Sequence, residues 1–169
     1  MQTRNVAILK KELQKYGGSP KIILCIGSRQ CVGDSLGPTV GELLISRYPL
    51  PHDIQVIGNM RESIGYKDIN LVCQSIYHDY PRAYVIVVDA ALAPREYVGE
   101  IVADNKKMLL GKAIRKEVYS VGNFGIRGLV AENKGNSRDN ILMLYQVPQK
   151  RIATLSMKIA NQIYQSICE

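Results

Sequence analysis

Ile26-Gly27-Ser28-Arg29-Gln30-Cys31-Val32-Gly33-Asp34-Ser35-Leu36-Gly37-Pro38 decides how this chain is read. The apolar run Ile22-Ile23-Leu24-Cys25-Ile26 leads into it and predicts a buried parallel strand over 21–27. After it, Leu36, Val40, Leu43 and Leu44 recur at helical spacing and predict a helix over 35–48. Pro38 falls in the first turn of that helix, where a missing amide hydrogen costs little. Tyr48-Pro49-Leu50-Pro51 ends it. A glycine-studded turn from strand to helix, with an acidic residue at the helix start, is where open α/β sheets carry their sites.

Working outward, residues 4–16 read as a helix with Val6, Leu9 and Leu13 on one face and Gly17-Gly18 as its stop. A second strand covers Ile54 to Ile57, followed by the glycine-bearing loop Gly58 to Gly65. Asp68 is placed to cap a helix over 69–79 with Leu71, Val72, Ser75 and Ile76 inward. Tyr84-Val85-Ile86-Val87-Val88 predicts a third buried strand, closed by Asp89. Further strands are expected at Val98 to Ala103, near Val118 to Val121, and at Ile141 to Tyr145. A basic connector, Lys106 to Lys116, separates the first two. Glycine-rich Phe124 to Asn136 reads as loop, and Lys150 to Ile167 as a closing helix.

Early alternation of helix and strand argues a parallel centre with helices on both faces, and the later strands an antiparallel edge. The expected fold is α/β: one domain over residues 1–169, a three-layer α/β/α sandwich with a mixed, mainly parallel sheet.

Composition narrows the class. Hydrophobic residues at 46% and charged residues at 22% suit a globular domain with a sizeable core. No apolar run approaches the roughly 18–20 residues that span a bilayer, and the start of the chain has no signal-peptide pattern, so a cytoplasmic protein is expected. The formal net charge of +7 favours acidic partners. Its cations are spread rather than blocked, and the runs Lys10-Lys11, Lys106-Lys107, Arg115-Lys116 and Lys150-Arg151 are only pairs, a dispersed pattern that argues against a nucleic-acid surface. The four cysteines form no CxxC pair, and Cys25 and Cys73 read as reduced structural thiols.

Two carboxylates carry the chemistry. Asp34 opens a helix and Asp89 closes a strand; either alone could serve as a structural cap. Together, at the carboxyl ends of two parallel strands, they can meet across one crevice. At about 5 Å separation and an effective dielectric near 20, their repulsion is roughly 3 kcal/mol. That suffices to keep one protonated while the other ionises, so that one can activate water and the other protonate a leaving group. His52 and His78 flank prolines or helix ends and read as solvent-facing, so no metal and no cofactor are expected. The GxGxxG spacing of a dinucleotide site is absent. In the loop after the second strand, Asn59, Arg61 and Glu62 are the expected substrate contacts. Arg61 should point outward or pair with Glu62, because a guanidinium bridging the aspartates would oppose split ionisation.

The elements Gly33-Asp34-Ser35-Leu36-Gly37-Pro38 and Val87-Val88-Asp89-Ala90-Ala91-Leu92-Ala93 resemble those of the YyaC-type sporulation proteins. These are relatives of the germination protease of bacterial endospores and, more distantly, of the hydrogenase maturation endopeptidases. The likeness runs from about Ile22 to Ile163. It implies a phosphorylase/hydrolase-like α/β/α fold. It also implies an aspartate pair, Asp34 and Asp89, of an atypical aspartic endopeptidase acting on small acid-soluble spore proteins in the sporulating cell or forespore. The chain departs from the family pattern at Arg29-Gln30, at Gly65 where a histidine is expected, and at Asn123 where the family has Asp. These departures motivate an alternative, a non-catalytic, protease-like binding module in sporulation.

Overall fold

In the computed structural model, residues 2–110 and 119–168 are described. In chain order they form α1 (Gln2–Lys15), β1 (Lys21–Cys25), α2 (Leu36–Arg47), β2 (Ile54–Ile57), α3 (Ile69–Asp79), β3 (Tyr84–Ala93), β4 (Ile101–Asp104) and β5 (Met108–Leu110). There follow β6 (Tyr119–Val121), β7 (Phe124–Glu132), α4 (Ser137–Tyr145) and α5 (Gln149–Cys168). Short 3-10 turns stand at Gly33–Ser35 and Arg95–Tyr97.

β1 is apolar after Lys21 and buried on both faces, as a central parallel strand requires. It pairs in parallel with β2 on one side and β3 on the other. β7 then pairs in parallel with β3, and β4 closes the edge antiparallel to β7. The sheet order is β2-β1-β3-β7-β4, with β5 and β6 as a separate antiparallel pair. This is the expected mixed, mainly parallel sheet.

Side chains of successive strand residues point to opposite faces, so each strand feeds two cores. On one face Ile23, Cys25, Ile86, Val88, Phe124 and Ile126 pack against α1, α2 and α5 through Leu9, Val40, Leu44, Leu155 and Ile159. On the other, Ile22, Leu24, Val85 and Val87 meet Ile69 and Ile76 of α3 and Met108, Leu110 and Val121 of the small hairpin. Each fully buried aliphatic contributes roughly 1.5–3 kcal/mol.

Several expectations are corrected. Phe124 to Glu132, read as loop, is a nine-residue strand at the heart of the sheet. Ile141 to Tyr145, read as a strand, lies in α4, which Asn136 caps by accepting the Asp139 N–H at 2.9 Å. β3 runs on to Ala93, and β4 begins at Ile101 rather than Val98. The basic connector contains β5; its residues 111–116, including Arg115-Lys116, and Val118 lie outside the described residues. On α3, Leu71 and Ser75 face solvent and Ile69 and Ile76 face the core. Asp68 does occupy the cap position, but its carboxylate accepts the Gly65 N–H at 3.2 Å instead of a helical amide.

One consequence positions the site. From β1 the chain moves outward to β2 and then returns across to β3, with α2 on one face and α3 on the other. The order therefore reverses between β1 and β3, the switch point at which α/β sheets open a crevice. The last β1–β3 pair is Cys25 with Val88, so β1 leaves the sheet just before Asp89.

Candidate functional site

The loop after β1 is shaped by close backbone approaches. Gly27 has φ +141, and a Cβ there would collide with the Asp34 carbonyl oxygen. That oxygen accepts the Ser28 N–H at 3.1 Å, and the Gly27 N–H donates to Ile64 O at 2.9 Å. A Cβ on Gly37 would strike the Ile26 carbonyl, and one on Gly33 would come within 2.7 Å of Leu144 O. These contacts press the turn Gly33–Ser35 and the start of α2 onto the end of β1, with Asp34 in the middle of the turn. The cap position of α2 falls on Ser35, so Asp34 is not the helix cap.

Asp34 and Asp89 line one cleft of about 320 Å³ at the carboxyl edge of the sheet. Ser28, Gln30, Cys31 and Tyr66 join them. Leu92, Leu110, Ile141, Leu144 and Tyr145 form an apolar wall of the same cleft. Asp89 is half-buried. Burial pushes its carboxyl well above the usual carboxylate range, and the Asp34 charge adds to that. The Ala90 N–H, which Asp89 accepts at 2.8 Å, and the Arg127 guanidinium act in the opposite direction. The Cys31 thiol is also pushed up, by burial first, so the cleft favours it as a thiol over a nucleophilic thiolate.

Asn59, Arg61 and Glu62 are placed elsewhere. The Asn59 side chain accepts the Arg61 and Glu62 N–H groups at 2.8 and 2.9 Å, closing a tight turn. Arg61 and Glu62 are exposed, and none of the three lines the cleft. Among the described residues Arg61 forms no ion pair with Glu62 or with either aspartate. From this part of the chain it is Tyr66, with Ile69, that lines the cleft, its ring tilted against that of Tyr119 with centroids 5.5 Å apart.

The departures from the family pattern resolve differently. The Asn123 carboxamide oxygen accepts the Val85 N–H at 2.8 Å at the start of β3, on the edge opposite the aspartates. Gly65 adjoins Tyr66, and among the described residues a Cβ there would meet only Asp68 Oδ2, at an ordinary contact distance of 3.5 Å. Arg29 donates to Met60 O at 3.4 Å, joining the two loops at the cleft's rim. His52 and His78 are exposed. Among the described residues no three His, Cys, Asp or Glu side chains converge as a metal site, and no helix is long and apolar enough to cross a membrane.

Residues missed from sequence include Tyr66, the α4 wall, and Arg127. Arg127 stands directly beside Asp89 in the β3–β7 register. The signal for α4 was present in the spacing of Asn136 and Asp139, a side-chain cap and a first-turn acid.

The same type of fold, a mixed, mainly parallel sheet flanked by helices, is found in a solved hydrogenase maturation protease. The solved structure of the NiFe hydrogenase maturation protease HycI from Thermococcus kodakarensis KOD1 superposes with a TM-score of 0.59, covering 94% of this chain and 99% of that one. Identity is 17%, so the likeness establishes the fold alone. The chain itself belongs to the family described as "Protein of unknown function (DUF1256)", whose pattern matches residues 1–166. It is 27% identical over 164 residues to the uncharacterized protein YyaC of Bacillus subtilis (strain 168), covering 95% of this chain and 74% of YyaC.

Proposed function

We propose that this protein is a peptidase of sporulating cells that uses Asp34 and Asp89 as a split pair. The observation carrying the reading is that both carboxylates line one cleft at the switch point, with Asp89 held toward its protonated form by burial and by the Asp34 charge. In this reading Asp34 takes a proton from water as the water oxygen bonds the scissile carbonyl carbon. The C–N bond then breaks, and Asp89 gives its proton to the leaving nitrogen. The pair regains its starting state by proton exchange with solvent after the products leave. No cofactor takes part. The protease fold of the structural neighbour and the family likeness to the germination protease support a protein substrate. The net charge of +7 suits acidic ones, the small acid-soluble spore proteins among them. The cytoplasm of the sporulating cell or forespore is the matching compartment.

Incubation of the purified protein with small acid-soluble spore proteins from about pH 4 to about pH 8 tests this. Asp34→Asn and Asp89→Asn should each abolish cleavage without loss of thermal stability. A wild-type chain that cleaves nothing across that range, and yet retains such a protein in a pull-down, would replace the peptidase with the binding module.

A further inference from the structure

Asp89 does not face Asp34 alone. Across the β3–β7 register its direct partner is Arg127, and paired residues of parallel strands project from the same face. On the far side of β7, Arg127 pairs with Val102 and Gly125 with Asp104 in antiparallel register. Asp104 therefore belongs to that same face, and the Arg127 Nη2 donates to Asp104 Oδ2 at 2.7 Å. Three adjacent strands thus carry a row of alternating charge, Asp104 then Arg127 then Asp89, running toward Asp34 on the turn.

We propose that Arg127, held back by Asp104, is a positioning residue that governs the protonation of Asp89. The couple is about one-third exposed on each side, accessible enough to be adjusted and close enough to act. A guanidinium one strand from a carboxyl would ordinarily close on it and hold it ionised. Asp104 supplies the competing acceptor. With Arg127 committed to it, Asp89 keeps its proton, while the cation still tempers the push from burial and from Asp34. Among the described residues, the other titratable groups lining the cleft are Cys31 on the loop after β1, Tyr66 before α3 and Tyr145 on α4. None of these is a cation, and among the described residues Arg127 is the positive charge that acts on Asp89.

This inference rests on the reading of Asp89 as the acid of the pair, but its test does not need cleavage. Carboxyl carbon NMR titration of Asp89 in the full chain measures its midpoint in wild type, Arg127→Met and Asp104→Asn. Removing the cation should raise the midpoint. Removing Asp104 should lower it, because one negative charge is lost and the guanidinium is freed toward Asp89. Arg127→Lys, which keeps a cation opposite Asp104, should return it toward the wild-type value. Shifts of opposite sign, each of about half a pH unit or more, support the proposal. Smaller shifts, or shifts of the same sign, overturn it. Asp104→Asn lies on the edge strand, so if Arg127→Met fails to fold, an unchanged or raised midpoint in Asp104→Asn still overturns it. Opposite shifts in a chain that cleaves nothing would keep the charge row and discard the peptidase; cleavage without them would do the reverse.

Discussion

Gly27 lies against the backbone of Asp34, so close that a methyl group on it would overlap the Asp34 carbonyl oxygen. The same oxygen is tied to the Ser28 N–H at 3.1 Å. A glycine that reads as loop punctuation therefore sets where a candidate catalytic carboxylate stands. Gly27→Ala combines that collision with a backbone φ of +141. It should cost about 2 kcal/mol or more. Denaturant unfolding measures the loss, and the Asp34 signals in an NMR spectrum should move with it; an unchanged midpoint would show that the loop yields easily.

Asp89 makes a prediction about pH. Its folded-state proton affinity is raised by burial and by Asp34. Between the unfolded carboxyl value, about 3.9, and the folded value, the native state holds more protons than the unfolded state. Stability from this group is thus fully present below about pH 4 and is lost as pH rises through that window. Asp89→Asn removes the ionisation. The variant should melt above wild type at neutral pH, with the difference shrinking toward about pH 4. Parallel melting curves of equal separation at every pH would contradict the assignment.

The α4 wall predicts binding without chemistry. Ile141 and Tyr145 are 42% and 58% exposed yet line the cleft that holds the aspartates. Given the proposed peptidase, Ile141→Asp and Tyr145→Ala should raise KM by about tenfold and leave kcat within about twofold. Thermal stability should change little, because both residues are exposed. A drop in kcat alone would instead place the wall against the reacting bond.

Asn123 separates structure from site. Its side chain accepts the Val85 N–H at 2.8 Å, four residues upstream of Asp89, or about 13 Å along the strand. Asn123→Ala should cost about 1–2 kcal/mol of stability by stranding that amide. Asn123→Asp keeps an acceptor and should cost less. Cleavage, normalised to folded protein, should match wild type in both; a selective loss of activity would put Asn123 back among the functional residues.

How far the sequence could be read depended on what each segment packs against. Up to Val88 the central strands β1 and β3 are runs of branched apolar residues, so local pattern and tertiary burial agree there, whereas on α3 Leu71 and Ser75 turn to solvent. β7 breaks that agreement. Gly125 and Gly128 look like loop residues, but a Cβ on Gly128 would collide with Leu36 of α2, and one on Gly125 would crowd Met108 at 3.2 Å. The glycines make room for neighbours that the chain brings in from far away, which no local period reports. Ile141 to Tyr145 failed for the opposite reason. Five apolar or aromatic residues fit either period, and only the cap at Asn136 and the cleft beneath select the helix.

The sequence by itself determined that Asp34 follows β1 and that Asp89 stands where the apolar run of β3 ends, because strand periodicity and glycine placement are local and dictated by burial and φ. It also determined a mixed, mainly parallel sheet, since alternating helix and strand signals leave few other ways to bury their faces. Only the tertiary structure decided what surrounds those carboxylates. The register that sets Arg127 beside Asp89, the pairing of Arg127 with Asp104, and the turn of α4 onto the cleft all join residues distant in the chain. Register is a property of strand pairs, and a shift of one residue would turn Arg127 to the other face. The chain's order thus supplied the two acids, and the pairing of its strands supplied the charge that acts on one of them.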